Sequence, residues 1–216
     1  MKDFGLSRNV PVARGETALL FVDVQNYTMP GGGEYLGLDP TEIERKYGYF
    51  FGEMERRGIP NMQRLQQACR SAGIEVMYTV IESLTQDGRD MGLDYKISGL
   101  FCPKGSRDAQ VLDAIKPLAD EIIIPKTSSS VFISTNIDYV LRNLGVRYLI
   151  IAGALTDQCV DSAVRDACDY GYLVTVPTDA CATQSEARHE TSLANNRGYC
   201  RQVTTEALVA EIAALA

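Results

Sequence analysis

Apolar runs that alternate with helix-like stretches constrain the fold of this 216-residue chain more than any other feature. The first run, TALLFVDVQN from Thr17, is nearly continuous and turns polar at its end, as a strand covered on both faces by helices does. Five further runs follow at residues 73–81, 121–125, 146–153, 171–177 and, more weakly, 199–203. The pattern predicts six strands.

The stretches between these runs have the spacing of helices. NMQRLQQACRSAG places its apolar residues at Met62, Leu65, Ala68 and Cys69, and it ends in glycine as helices commonly do. Strands that alternate with helices imply right-handed crossovers. We therefore predict an α/β fold: a three-layer, doubly wound, mostly parallel six-stranded sheet, in a single domain over residues 1–216.

Composition limits the partners that the chain can have. A formal net charge of -7, spread along the sequence, predicts no binding to nucleic acid or to anionic membranes. The N-terminus is polar, and no stretch approaches the length that spans a bilayer, so we expect a cytoplasmic protein. The six cysteines are widely spaced without a C-x-x-C pair, which predicts free thiols.

Three side chains follow predicted strands, where ligands of a parallel sheet bind. Asp23 follows LLFV, Lys126 follows EIIIP, and Cys159 follows the fourth run, in the first turn of a predicted helix. Asp23 alone could be a turn residue and Lys126 alone a snorkelling lysine, but the helix start favours a thiolate at Cys159. Together they supply a nucleophile, a carboxylate to take its proton and a cation.

Two segments, 27–59 and 83–106, exceed ordinary loop length and are candidate lids or interface arms. The aromatic stretch 47–51 within the first segment has three interpretations. The stretch is interpreted as a cover over a pocket, as a contact with a neighbouring subunit, or as part of the local core.

The stretches LLFVDVQN, IIIPKTSSSVF, YLIIAGALTDQCVDSAVRDA and VPTDACAT make the chain, from Thr17 onward, resemble the isochorismatase-like cysteine hydrolases. That superfamily includes nicotinamidases, N-carbamoylsarcosine and ureidoacrylate amidohydrolases, and biuret and triuret hydrolases. The resemblance implies a catalytic triad at Asp23, Lys126 and Cys159, and a homodimer or homotetramer. It implies no cofactor.

The resemblance also implies a cis peptide between Ala154 and Leu155. By analogy, the oxyanion of the reaction would lie on the backbone N–H groups of Leu155 and Cys159.

Four further side chains are predicted to contact substrate: Asn26, Tyr27, Glu82 and Gln158. Asn26 could equally cap its loop, and Glu82 could equally be a solvated loop residue.

A metal is not expected. Nicotinamidases of this superfamily bind one through an aspartate and histidines after the second strand, but YTVIESLTQDG contains no histidine. The only histidine, His189, lies on a predicted surface helix and is interpreted as solvated.

Isochorismatases proper lack the nucleophilic cysteine, so Cys159 favours hydrolysis of a C–N bond in a small linear amide or ureido substrate. The biuret, triuret, ureidoacrylate and N-carbamoyl types are favoured. A nicotinamidase-like enzyme, a vinyl-ether hydrolase and a non-catalytic redox thiol are the alternatives.

Overall fold

A computed structural model describes residues 5–215, which form a parallel sheet surrounded by helices. The strands are β1 Thr17–Val22, β2 Glu75–Ile81, β3 Ile122–Lys126, β4 Tyr148–Ala154, β5 Leu173–Pro177, β6 Cys181–Ala182 and β7 Cys200–Val203. The helices are α1 Pro40–Glu53, α2 Ile59–Ser71, α3 Leu93–Ser98, α4 Val131–Ser134, α5 Ile137–Asn143, α6 Cys159–Asp169, α7 Glu186–Asn196 and α8 Thr205–Ala213.

The sheet has the order β3-β2-β1-β4-β5-β7, and every pair of neighbouring strands is parallel. The α/β prediction is confirmed, with one correction: residues 5–215 contain seven strands rather than six. The additional strand, β6, pairs with β4 and contains only two residues, so it produces no apolar run in the sequence.

The apolar runs of the sequence form the buried strands at the centre of the molecule. All six residues of β1 are buried, as are six of the seven residues of β4, because helices cover both faces of the sheet. In α6, Val160, Ala163, Val164 and Ala167 form an apolar stripe, and all are at most 1 % exposed. Burying a side chain of valine size contributes about 1.5 kcal/mol. The stripe therefore fixes α6 against the sheet.

The chain reverses its direction across the sheet next to β1. It runs from β1 outward to β2 and β3, and then returns to the other side of β1 as β4. Val22 at the end of β1 pairs with Gly153, where a Cβ atom would lie 2.2 Å from the Val22 carbonyl oxygen. Glycine thus allows the two strand ends to approach closely, and such a reversal is where ligands bind in open α/β sheets.

The two long segments contain short helices rather than open coil. Segment 27–59 includes α1, and segment 83–106 includes α3. All six cysteines are free thiols, as predicted. Within residues 5–215, no helix combines the length and apolar character needed to cross a bilayer.

Candidate active site

Asp23, Lys126 and Cys159 come together at the carboxyl edge of the sheet. Asp23 directly follows β1, Lys126 is the last residue of β3, and Cys159 is the first residue of α6. The Lys126 Nζ atom lies 2.8 Å from Asp23 Oδ2 and 3.4 Å from Cys159 Sγ. The exposed fractions are 1 %, 0 % and 7 %, so these polar groups interact with each other away from bulk water.

Lys126 is held as a cation at the centre of this group. Its ammonium also donates hydrogen bonds to the Tyr95 hydroxyl at 2.9 Å and to the Ser128 carbonyl at 2.8 Å. Burial alone would lower the pKa of Lys126, but its interactions with polar neighbours, above all the negative charge of Asp23, outweigh burial and raise that pKa. The ammonium therefore has four neighbours for its three protons.

The Asp23 carboxylate is fixed by the neighbouring strand. Its Oδ1 atom accepts a hydrogen bond of 2.8 Å from the Thr79 hydroxyl, and its backbone N–H donates to the Thr79 carbonyl at 3.1 Å. Asp23 has a φ of 54°, in the left-handed region that non-glycine residues enter at a cost of about 1–3 kcal/mol. The backbone turns sharply there and leaves Oδ2 facing Lys126.

The thiol of Cys159 is protonated in the resting protein. Burial raises its pKa to about 11, and the attraction of the Lys126 charge lowers it only in part. The helix start was expected to favour a thiolate, but desolvation outweighs that effect here. A thiol in this form becomes a nucleophile only when it loses its proton, and Asp23 is one of the two carboxyl side chains that line the cavity.

A small cavity opens onto the sulfur. Its solvent-accessible volume is about 50 Å³, and one water molecule needs about 10–15 Å³ by this measure, so the cavity suits a compact molecule. The two long segments and the loop after β4 form its walls. The lining residues are Asp23, Thr28, Glu34, Tyr35, Tyr47, Phe50, Ile81, Tyr95, Leu100, Ala154, Leu155, Gln158, Cys159 and Gln184.

The loop between β4 and α6 borders the cavity beside the sulfur. The peptide between Ala154 and Leu155 is cis, as the resemblance implies. The N–H group of Thr156 donates to the Ala182 carbonyl at 2.9 Å, and that of Val160 to the Leu155 carbonyl at 3.2 Å. These bonds hold the loop on both sides of the site.

Comparison with known proteins identifies the family. The family model described as the isochorismatase domain matches residues 17–207. The chain belongs to the isochorismatase family. It is 31% identical over 190 residues to the ureidoacrylate amidohydrolase RutB of Agrobacterium fabrum, covering 76% of this chain and 75% of that protein. The same enzyme of Rhizobium rhizogenes is 31% identical over 182 residues, covering 76% and 70%.

Solved structures of the family share the fold. A cysteine hydrolase from Pseudomonas syringae pv. phaseolicola superposes with a TM-score of 0.81 at 24% identity, covering 96% of this chain and 97% of that one. The N-carbamoylsarcosine amidase of Thermoplasma acidophilum superposes with a TM-score of 0.66 at 23% identity, covering 88% and 97%.

Only one of the four predicted substrate contacts lines the cavity of this isochorismatase-family chain. Gln158 is exposed at its wall. The Asn26 side chain donates to the Arg107 carbonyl at 3.0 Å, and the Tyr27 hydroxyl accepts from the Phe101 N–H at 3.0 Å. Both side chains hold the loop around residues 99–109 and neither lines the cavity, so their contact with substrate stays a prediction.

Glu82 also has a partner within the fold, and its contact with substrate stays a prediction. Its Oε1 atom accepts a 2.7 Å hydrogen bond from the Gly105 N–H, outside the cavity that contains Cys159. A glutamate at the end of β2 is closer to this loop than to the sulfur.

His189 also differs from its sequence interpretation. It is 8 % exposed rather than solvated, and its Nδ1 atom lies 2.9 Å from the Thr156 hydroxyl. Burial lowers the pKa of His189. The ring packs behind the loop that carries the cysteine. Among residues 5–215, no group of three or more His, Cys, Asp or Glu side chains is arranged to hold a metal ion.

Sequence reasoning missed several cavity residues, among them Glu34, Tyr95 and Gln184. Tyr95 contacts both Lys126 and the sulfur, which lies 3.7 Å from its hydroxyl. Glu34 and Tyr95 belong to the two long segments, whose length was the only available signal. Gln184 directly follows VPTDACAT, a stretch that indicated the family without indicating the role of its neighbour.

Proposed function

We propose that this isochorismatase-family hydrolase cleaves a C–N bond, other than a peptide bond, in a small linear ureido or carbamoyl compound. The observation that carries the proposal is the buried Lys126 ammonium, which lies within 3.4 Å of both a carboxylate and a thiol at the wall of a small cavity. The 31% identity to ureidoacrylate amidohydrolases supports the ureido class. Biuret, triuret, ureidoacrylate and N-carbamoyl compounds are the candidate types.

The first chemical step forms a covalent intermediate. Asp23 accepts the thiol proton while the sulfur of Cys159 attacks the substrate carbonyl carbon. The resulting tetrahedral intermediate collapses as the same proton passes from Asp23 to the departing nitrogen. The C–N bond breaks, ammonia or an amine leaves, and a thioester remains on the sulfur. When a ureido carbonyl is attacked, that thioester is a thiocarbamate.

The second step releases the acid. Asp23, again a carboxylate, accepts a proton from a water molecule that attacks the thioester carbonyl. The C–S bond breaks, the proton returns to the sulfur, and the acid product leaves. Water supplies one hydroxyl and one hydrogen in the full cycle, so no oxidant or reductant is consumed.

Lys126 acts through its charge in both steps. Because its pKa is raised, it stays protonated, lowers the energy of the thiolate as this forms and holds the Asp23 side chain in an ion pair. The N–H groups of Leu155 and Cys159 are the proposed donors to the oxyanion, since both residues line the cavity beside the sulfur. One such donor contributes about 3 kcal/mol to transition-state stabilisation.

The redox alternative receives no support from the environment of the sulfur. Sensor cysteines are exposed and have a lowered pKa. Cys159 is 7 % exposed, and burial raises its pKa to about 11.

The test compares Cys159→Ser with Cys168→Ser, a matched control because Cys168 lies on the same helix outside the cavity. Ammonia release is measured with biuret, ureidoacrylate, an N-carbamoyl amino acid and nicotinamide. We expect Cys159→Ser to lose at least a thousandfold in kcat and to accumulate no covalent adduct by mass spectrometry, with its circular dichroism unchanged. Full activity in Cys159→Ser would overturn the proposal.

A further inference from the structure

The cavity beside Cys159 is acidic. Two carboxyl side chains, Asp23 and Glu34, belong to its wall, together with two amides and several hydroxyl groups. Within the part of the chain that the structure describes, no lysine, arginine or histidine lines it. A substrate that enters therefore meets hydrogen-bond acceptors and partial negative charge, and no side-chain cation.

Two cations that contact lining residues, Lys126 and Arg188, are already engaged. The Lys126 ammonium is fully buried and already contacts Asp23, Tyr95, Ser128 and the sulfur. The Arg188 guanidinium binds Asp157 and the Gln184 side-chain oxygen, and it is not part of the wall. Neither cation is free to pair with a carboxylate carried by the substrate.

Glu34 is held in a defined place although it lies in a long loop. It is the middle residue of a short 3-10 turn, Gly33–Tyr35. The Gly33 N–H donates to Asp108 Oδ2 at 3.0 Å, and the Tyr35 hydroxyl donates to the Thr28 carbonyl at 3.0 Å. The turn is therefore tied on both sides of Glu34.

The fold gives the Glu34 carboxyl one polar side-chain partner, its neighbour Tyr35. Glu34 forms no ion pair with any Lys, Arg or His among residues 5–215. Burial raises its pKa to about 7, so the folded protein carries a cost for ionising it. N–H donors from a bound substrate would offset that cost, because hydrogen bonds to a charged acceptor favour the charged form.

We infer that the substrate is a ureido or carbamoyl compound without a carboxylate, and that Glu34 accepts hydrogen bonds from its N–H groups at the end remote from the attacked carbonyl. The inference rests on the proposed function and narrows its substrate class. It sets this chain apart from its ureidoacrylate-hydrolysing relatives, since ureidoacrylate carries a carboxylate that would lie in the same small cavity as Asp23 and Glu34.

The experiment uses two ureido compounds that differ only in this charge: N-carbamoylglycinamide, which is neutral, and N-carbamoylglycine, which is a carboxylate at neutral pH. Ammonia release gives kcat and KM, and mass spectrometry of the products identifies the bond that is cleaved. Both compounds are tested with the full-length chain, Glu34→Gln and Glu44→Gln. Glu44 is exposed on α1, outside the cavity, and serves as the matched control.

We expect the unmodified chain to hydrolyse the ureido bond of the neutral compound with a kcat/KM at least 100-fold above that of the carboxylate. Glu34→Gln should raise KM for the neutral compound about tenfold with little change in kcat. The same change should raise kcat/KM for the carboxylate about tenfold, because one negative charge has left the cavity. Glu44→Gln should match the unmodified chain with both compounds.

Equal or better hydrolysis of the carboxylate by the unmodified chain would overturn the inference and leave the proposed function standing. An unchanged substrate preference in a folded Glu34→Gln would overturn the role of Glu34. Absence of ureido hydrolysis with every compound, with no adduct on Cys159, would instead overturn the proposed function. The preference of the unmodified chain is measured without any variant, so a poorly folding Glu34→Gln leaves the test decisive.

Discussion

Cys159 illustrates how burial and a neighbouring charge compete at one atom. Burial disfavours the thiolate and raises the pKa to about 11, while the Lys126 ammonium 3.4 Å away favours the thiolate. Because burial prevails, the resting sulfur is a thiol that water and oxidants reach poorly. In the proposed mechanism, Asp23 accepts this proton as the sulfur attacks.

The first prediction concerns the titration of this thiol. Its pKa is raised above the usual value, so at pH 8, three units below about 11, roughly one thiol in a thousand is ionised. Alkylation of Cys159 by iodoacetamide should accelerate about tenfold per pH unit between pH 7 and pH 10. Samples are taken at several times and digested, and mass spectrometry of the peptides distinguishes alkylation of Cys159 from alkylation of the other five cysteines. A rate that levels off below pH 8 would contradict a raised pKa.

The triad residues were predictable because each follows an apolar run, and strand ends meet at one edge of a parallel sheet. Glu34 and Tyr95 were not, since they lie in segments without hydrophobic periodicity. Their positions depend on hydrogen bonds between residues far apart in sequence, such as the bond from the Gly33 N–H to the Asp108 side chain. The protonated state of Cys159 could not be predicted either. The sequence indicates that the residue lies at a helix start, but it does not indicate how deeply the thiol is buried.

At the scale of elements, α7 holds the loop that carries the nucleophile. Its Arg188 binds Asp157 in that loop and the Gln184 side chain at the cavity wall. The Ser192 hydroxyl donates to the Thr156 carbonyl at 3.0 Å, and His189 contacts the Thr156 hydroxyl. One helix thus positions both a cavity residue and the loop before α6, without itself contacting the sulfur.

The second prediction tests this positioning role with Arg188→Met. The change frees Asp157 and Gln184, so we expect kcat/KM to fall about tenfold, mainly through KM. Arg188 is 39% exposed in its side chain, and surface ion pairs contribute only about 0–1 kcal/mol, so stability should change little. Steady-state ammonia release and urea unfolding measure the two effects.

Arg142→Met is the matched control, since Arg142 forms a similar surface ion pair with Asp138 on α5. We expect it to keep the activity of the unmodified chain. Equal activity in both variants would show that Arg188 has no positioning role. The contribution of α7 could not be predicted from the sequence. The helix pattern indicates which residues of α7 are apolar, but it does not indicate which loop the polar side chains contact.

At the scale of the whole molecule, the site depends on strand order. Asp23 and Cys159 follow the adjacent strands β1 and β4, whereas Lys126 ends β3, two strands from β1. Alternating runs predicted a parallel sheet, but they contain no information on which strands are neighbours. The order is determined by packing among distant parts of the chain. The single domain over residues 1–216, the dimeric or tetrameric assembly and the cytoplasmic location stay predictions.

The third prediction concerns the stability of the entire fold. Breaking a buried ion pair by removing one partner costs about 3–5 kcal/mol, because the remaining charge is buried without compensation, and that is a large part of the usual 5–15 kcal/mol. Lys126→Met leaves the Asp23 carboxylate, 1 % exposed, without its cation. We expect its free energy of unfolding in urea to fall by about 3 kcal/mol or more, together with loss of activity.

The double variant Asp23→Leu, Lys126→Met separates stability from function. Since it removes both buried charges, we expect it to unfold at a higher urea concentration than Lys126→Met while remaining inactive. Lys46→Met is the control: it breaks the exposed pair with Glu42 and should leave the free energy of unfolding nearly unchanged. A single variant Lys126→Met as stable as the unmodified chain would mean that Asp23 is neutral or solvated in the folded protein, and the proton transfer proposed for it would lose its basis.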